Sequence, residues 1–366
     1  MKKIIFALTA SLLLPLVMSA AIPELKFRRL DTREGLSNSQ VLVVLRDKCG
    51  VVWIGTPYGL NRYDGYRIKT YYSNLRDTTT LRNNYVDEIY EAYDGKLWLK
   101  QGMGYATFDP STELCNRHPE DVLKKMGVTG GIEYLYIDSQ KDFWIKSYND
   151  GFFHYSPTKK TLKRFPPGYG EQDFNADMGV SSAAEHGDTV IVTSSNGELL
   201  LFSRKNDIIL CKNDYLKKNK VAHEQQCKLR VDHEGNVWVL VVPATFVWNP
   251  KTDQWIHTAE SVLQSWGVTD GPEEMPVWDV QQDSRHRYWF ATDHGGLVVV
   301  DRNTKESRQF LTSKYDESTV SDNTLRNIYM DQLGRAWIGT YQNGLNQFAG
   351  NTSNFRNLDM GNINTI

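Results

Sequence analysis

The feature that most limits what this chain can fold into is a sentence written twice. Asp47-Lys-Cys-Gly-Val-Val-Trp53-Ile-Gly-Thr56-Pro-Tyr-Gly59-Leu60-Asn-Arg-Tyr63 stands near the start, and Asp331-Gln-Leu-Gly-Arg-Ala-Trp337-Ile-Gly-Thr340-Tyr-Gln-Asn-Gly344-Leu345-Asn-Gln-Phe348 near the end. Two near duplicates at opposite ends of one chain point to a repeat architecture. The same frame recurs around Trp98, Trp144, Trp238 and Trp289, and the successive Trp spacings are 45, 46, 94, 51 and 48 residues. The value of 94 is two periods of 47, with its midpoint at Ile191 in Asp188-Thr-Val-Ile191-Val-Thr193-Ser-Ser-Asn-Gly197. An Ile takes the place of Trp there. Seven copies therefore run from about residue 37 to 350.

Each copy carries the same pieces. An apolar run such as Val41–Leu45 is followed by an Asp/Gly turn, the Trp strand, a turn at Gly, and a strand such as Leu60–Tyr63. A last strand follows, such as Tyr66–Tyr71 or Thr161–Phe165. Four antiparallel strands in roughly 47 residues make one blade of a β-propeller, whereas a linear β-solenoid repeats at a shorter length. The Trp, on a middle strand, is expected to fill the wedge between neighbouring blades. The Asp six residues before it (Asp47, Asp138, Asp232, Asp283, Asp331) recurs in five copies, which implies a turn-making role. Leu25–Leu30 reads as a strand with no blade before it. Its natural place is the outer edge of blade seven, where it would close the ring and cover an open sheet edge. The expectation is an all-β fold: a seven-bladed β-propeller of four-stranded antiparallel blades over residues 22–352, ring-closed by an N-terminal strand. Residues 353–366 contain Asn354-Phe355-Arg-Asn-Leu358, which competes for the same edge and reads as a C-terminal strand or a linker to a second propeller.

Composition supports the same class and excludes others. Aromatic residues make up 12% of the chain, with 19 Tyr and 10 Trp, which favours short strands over helices. A formal net charge of −2 gives no basic footprint for nucleic acid. Residues 1–21 join Lys2 and Lys3 to an apolar run from Ile4 to Val17 and a small-residue Ser19-Ala20-Ala21 site, the pattern of a secretory signal peptide. The exported chain would then hold 40 basic against 44 acidic side chains. Cys49, Cys115, Cys211 and Cys227 are scattered without metal or redox spacing. A Cys211–Cys227 bridge is possible, although the two fall on different strands of the repeat.

The motif Asp-x-x-Gly-x-x-Trp-Ile-Gly-Thr, followed by Gly-Leu and an aromatic residue, resembles the two-component regulator propeller family. Copies one and seven match closely, the others in part, and copy four weakly. This resemblance implies the periplasmic sensor region of a hybrid two-component system sensor histidine kinase/response regulator, of which this chain would be the N-terminal propeller. It implies an oligosaccharide ligand, a second propeller and downstream signalling domains as partners, a homodimer in that context, and control of glycan-utilisation genes. The kinase itself lies outside the residues present.

No catalytic, metal or nucleotide signature emerges, and no cofactor is expected. His223-Glu-Gln-Gln-Cys227 begins like a zinc helix but lacks the second His. The alternative of another class is a polysaccharide-processing propeller enzyme, sialidase- or lyase-like, for which Arg28, Arg29 and Arg326 do not obviously form the required cluster. A protein-binding scaffold is a further alternative. Ligand contacts are expected where the copies differ, in loops entering the innermost strand and joining the second and third strands. Those positions hold Tyr58, Tyr85, Tyr148, Trp278, His294, Arg326, Tyr341 and Asn343, beside Asn84, Met103 and Glu133. Aromatic faces stack on sugar rings, while amide, guanidinium and imidazole groups hydrogen-bond hydroxyls and carboxylates. Tyr85 and Trp278 would equally serve to plug the channel. Asp121–Met126 and Ala259–Trp266 are expected as short helices in long loops, and Pro166–Gly179 as another long connection.

Overall fold

A computed structural model describes residues 22–148, 150–165, 179–219, 221, 227–272 and 274–350. The signal-peptide reading, the strand or linker at 353–366, most of the loop at 166–179 and the segment 222–226 lie outside the described residues.

The described chain forms seven four-stranded antiparallel sheets. Six are built from consecutive strands, innermost first. Blade 1, for example, contains Val43–Arg46, Val52–Thr56, Gly59–Tyr63 and Ile68–Tyr71. The hidden fourth copy is a full blade, with Ile191 on its second strand, Thr189–Ser194. Blade 7 takes three strands from the end of the chain and its fourth, Arg28–Leu30, from the beginning. There Arg28, Arg29 and Leu30 pair with Gln347, Asn346 and Leu345. The expected propeller and its closure by the N-terminal strand are both observed.

The core lies between blades. Each second strand is fully buried in blades 1, 3, 5, 6 and 7, and its Trp meets an aromatic ring of the next blade. Trp53 packs edge-on against Phe108 at 5.5 Å, Trp98 against Phe143 at 5.6 Å, and Trp337 closes the circle against Tyr63 at 6.1 Å. The rings act as wedges, as expected. The repeated Asp does more than shape a turn. In Asp47, Asp138, Asp232 and Asp283 one carboxylate oxygen accepts the indole N–H of the blade's own Trp at 2.8–3.1 Å. The other oxygen accepts backbone N–H groups of the turn, such as Val51 on Asp47 and Gln140 and Asp142 on Asp138. A buried indole needs an acceptor, and this one is supplied by the adjoining turn. The turn also needs a left-handed residue three positions before the Trp. Gly50 supplies it at φ +90°, while Lys141 and His286 adopt it in blades 3 and 6 at φ +68° and +62°.

Helices form at Glu120–Met126 and Ala259–Ser265, within a residue of expectation, and bury Leu123 and Met126, and Ala259, Val262 and Leu263. A third short helix, Tyr215–Lys218, lacked any apolar periodicity long enough to read. All four cysteines are free. Cys211 is exposed on the outer strand of blade 4 and Cys227 is buried just before blade 5, so the possible bridge is absent. No helix among the described residues is long and apolar enough to cross a membrane.

Candidate functional site

The loops entering the innermost strands and those joining second to third strands share one face, because strands within a blade alternate in direction. On that face the innermost strand of four blades carries an extra residue. Its pairing with the second strand slips between Ile132 and Tyr134, Val180 and Ser182, Val277 and Asp279, and Leu325 and Asn327. The unpaired residues are Glu133, Ser181, Trp278 and Arg326. A β-bulge re-aims the side chain it adds, and it does so here at the mouth of the central channel.

Two of the bulge residues meet directly. The Arg326 guanidinium lies 3.7 Å from the centre of the Trp278 ring and 5.4 Å from that of Tyr341. Arg326 and Trp278 are half-buried, and Tyr341 is exposed. Burial is the main influence lowering the Arg326 pKa, against the charges of Tyr341, Asp293 and Tyr85. Among the described residues Arg326 makes no hydrogen bond or ion pair. The adjoining loops are tied to one another: Tyr341 N–H donates to the Thr324 carbonyl at 3.0 Å, and His294 N–H to the Thr324 hydroxyl at 3.3 Å. Asn343 donates from its side chain to Asp322 at 3.1 Å.

Below the mouth, Lys228 and Arg230 of blade 5 stand two apart on one strand and so share a side. Both reach Asp279 of blade 6, at 2.7 Å and 2.8 Å. Asp279 is fully buried and also accepts the N–H groups of Val280 and Ile328. Burial acts to raise its pKa, but Arg230 and Lys228 prevail and hold it below the usual carboxylate range. Enclosure, helped by Arg230 and Arg326, pushes the Lys228 ammonium down to about 8 against the pull of Asp279. On blade 2, burial and neighbouring Glu88 push Asp87 up to about 6, with Lys100 opposing. The Gly102 N–H lies near this carboxylate, yet Asp87 Oδ1 is buried without a hydrogen bond of good geometry. The indole N–H of Trp278 is likewise buried and unpartnered.

The structure therefore gathers Trp278, Arg326, Tyr341 and Tyr85 at the mouth, with His294 and Asn343 on its rim. It does not gather all eight expected residues. Tyr58 packs edge-on against Tyr72 at 6.0 Å, and Tyr148 is exposed in the loop between the second and third strands of blade 3. Arg28 and Arg29 lie on the outer strand of blade 7, where Arg29 donates to Thr319 and Val320, and do not join Arg326. Asp87, Lys228, Arg230, Asp279 and Asp293 were missed. Asp87 occupies the same frame position as Trp278 and Arg326, eleven before the Trp, and that position was the available signal. Among the described residues no three of His, Cys, Asp and Glu cluster in a way that could hold a metal.

Comparison with known proteins gives the class that this fold and face define. Residues 35–58 match the family model described as two component regulator propeller, so the resemblance drawn from the repeat is borne out at copy one. A 55-residue stretch is 40% identical to histidine kinase P4 of Formosa agariphila, covering 15% of this chain and 4% of that protein. The fold is similar to that of the extracellular domain of the proposed hybrid two component system BT3049 of B. thetaiotaomicron. That likeness has a TM-score of 0.65 at 19% identity and covers 89% of this chain and 42% of the other. The extracellular domain of the proposed hybrid system BT4673 of the same organism matches with a TM-score of 0.59 at 18% identity, over 89% of this chain and 40% of the other. The chain spans less than half the length of these solved structures. It is a propeller with the fold of extracellular two-component sensor domains.

Proposed function

We propose that this propeller is the ligand-sensing part of a hybrid two-component sensor, exported through residues 1–21, and that its channel mouth binds an oligosaccharide. The observation that carries the reading is the stack of Trp278, Arg326 and Tyr341. A guanidinium that makes no hydrogen bond or ion pair among the described residues lies over one aromatic ring and near a second, at bulges on the face where the repeats differ. Such a group offers ring faces for sugars and a fork of donors for their oxygens. Binding is the whole of the chemistry. Occupancy biases a dimer joined to a second propeller and a histidine kinase, which in turn controls glycan-utilisation genes. It does so only by the difference in affinity for two arrangements. Thermal unfolding against a panel of plant and host oligosaccharides tests this. A raised melting temperature without product formation is expected. Product formation would instead favour the polysaccharide-processing enzyme, and no response from any sugar would favour a scaffold that binds proteins.

A further inference from the structure

The charges around the mouth say what kind of sugar it accepts. Lys228, Arg230 and Arg326 stand in one sector formed by blades 5, 6 and 7. One buried carboxylate, Asp279, answers the first two and is saturated by them and by two backbone N–H groups. Asp293 is the nearest acidic group that Arg326 feels, and it is engaged with His294 at 2.9 Å. With Asp322 of the same loops the sector's three cations meet three carboxylates, but among the described residues none of these carboxylates pairs with the Arg326 guanidinium. Across the mouth, Asp87 and Glu88 share the single ammonium of Lys100, at 3.8 Å and 2.8 Å, while Glu133 pairs with Lys146 at 3.3 Å. The mouth thus sets the unpaired guanidinium of Arg326 on blade 7 against two carboxylates that share one ammonium on blade 2.

A guanidinium lying over one ring, with a second ring nearby, keeps its edge free for a planar, two-oxygen acceptor. Stacking fixes the orientation of the fork and leaves its donors to be satisfied by something else. Asp87 buries its Oδ1 but leaves its carboxylate partly exposed, with Oδ2 3.8 Å from Lys100, and so can accept a sugar hydroxyl on the opposite side. Resting on the reading of the mouth as a glycan site, we infer that the ligand is an acidic sugar. Its carboxylate or sulfate lies on Arg326, its ring lies against Tyr341 or Trp278, and its hydroxyls face Asp87. Lys228 and Arg230 add attraction from below without direct contact.

Titration calorimetry on the intact chain decides the matter with four probes: tetragalacturonate, its methyl ester, a hyaluronan tetrasaccharide and a sulfated galactan tetrasaccharide. At least one acidic probe is expected to bind, and tenfold or more tighter than a neutral counterpart. Its affinity should fall as salt rises. The first two probes against the fourth distinguish carboxylate from sulfate as the group held. Arg326→Gln is expected to lower that affinity tenfold or more and to erase the preference over the neutral form. Arg326→Lys keeps the charge without the fork and should fall between. Unchanged melting temperatures in both variants separate loss of binding from loss of fold. Equal binding of neutral and acidic sugars, or an acid preference that survives Arg326→Gln, overturns the inference while leaving glycan sensing intact. Failure of every probe and of the neutral panel overturns both.

Discussion

At the residue scale, the repeated Asp shows how one side chain can do two jobs, and the copies allow the jobs to be weighed. Asp47 accepts one indole N–H and one turn N–H. Asp138 accepts one indole N–H and two turn N–H groups and also holds Arg204 of the next blade, a buried guanidinium whose Nε donates to it at 2.8 Å. Removing an acceptor costs about 1–3 kcal/mol, and without Asp138 the Arg204 guanidinium would also lose one of its two carboxylates, keeping Glu185 and the Gly187 carbonyl. Asp138→Ala is therefore expected to destabilise more than Asp47→Ala by about 1 kcal/mol, read from the urea midpoints of the two variants. Asp87 works in the other direction. Its pKa is pushed from 3.8 to about 6, so the folded state binds a proton more tightly than the unfolded chain. Stability then falls as pH rises from about 4 to 6 and stays lowered above that. Asp87→Asn should raise stability at pH 7 by on the order of 1 kcal/mol and remove that slope. A carboxylate kept at such a cost in the mouth is consistent with a binding role.

At the scale of elements, the seam between blades 3 and 4 and the closing strand carry the strongest expectations. That seam keeps its Trp wedge, Trp144 against Phe202 of blade 4 at 5.6 Å, and adds a charged bridge beside it. His154 of blade 3 stacks on Trp144 at 4.1 Å and bridges Asp142 at 3.2 Å and Asp207 of blade 4 at 2.5 Å. Burial alone would lower its pKa, but the two carboxylates outweigh this and raise it above 6.5. The imidazolium's contribution is then complete below about 6.5 and is lost as pH rises through the higher folded value. Melting curves from pH 6 to 9 should show that loss in the native chain and a flatter profile in His154→Gln. In the closing strand, Gly344 sits at φ +77°, and a Cβ there would lie 2.3 Å from the Leu30 carbonyl. Gly344→Ala is expected to cost about 2–3 kcal/mol through strain and loosened pairing. An equivalent change at Gly334, φ +73° with open space around it, should cost less. Comparing the two by calorimetry separates strain from lost closure.

At the scale of the whole molecule, the ring was legible and the mouth only partly so, for one physical reason. A repeat displays what every blade needs: the wedge at Trp53, the turn at Asp47 and Gly50, and the edge that Arg28–Leu30 must cover. Those needs recur at fixed spacing, so counting found even the copy in which Ile191 replaces Trp. A site depends on what blades contribute once each, and on which residues face each other across a channel. Arg326 and Trp278 were picked from their place in the frame, but their stacking depends on two bulges that no spacing reveals. Lys228 and Asp279 sit one position further in, where alternation alone does not tell channel from seam. Tyr58 and Tyr148 occupied the right loops but belong to other sectors. The central claim, that this mouth is where ligand is read, is tested most directly by hydrogen–deuterium exchange. The chain would be measured with and without whichever oligosaccharide most raises its melting temperature. The account predicts new protection confined to the loops around Tyr85, His294 and Thr324–Asn343. Protection centred elsewhere, for instance on the outer groove lined by Tyr215, Asp253 and Trp255, would contradict it.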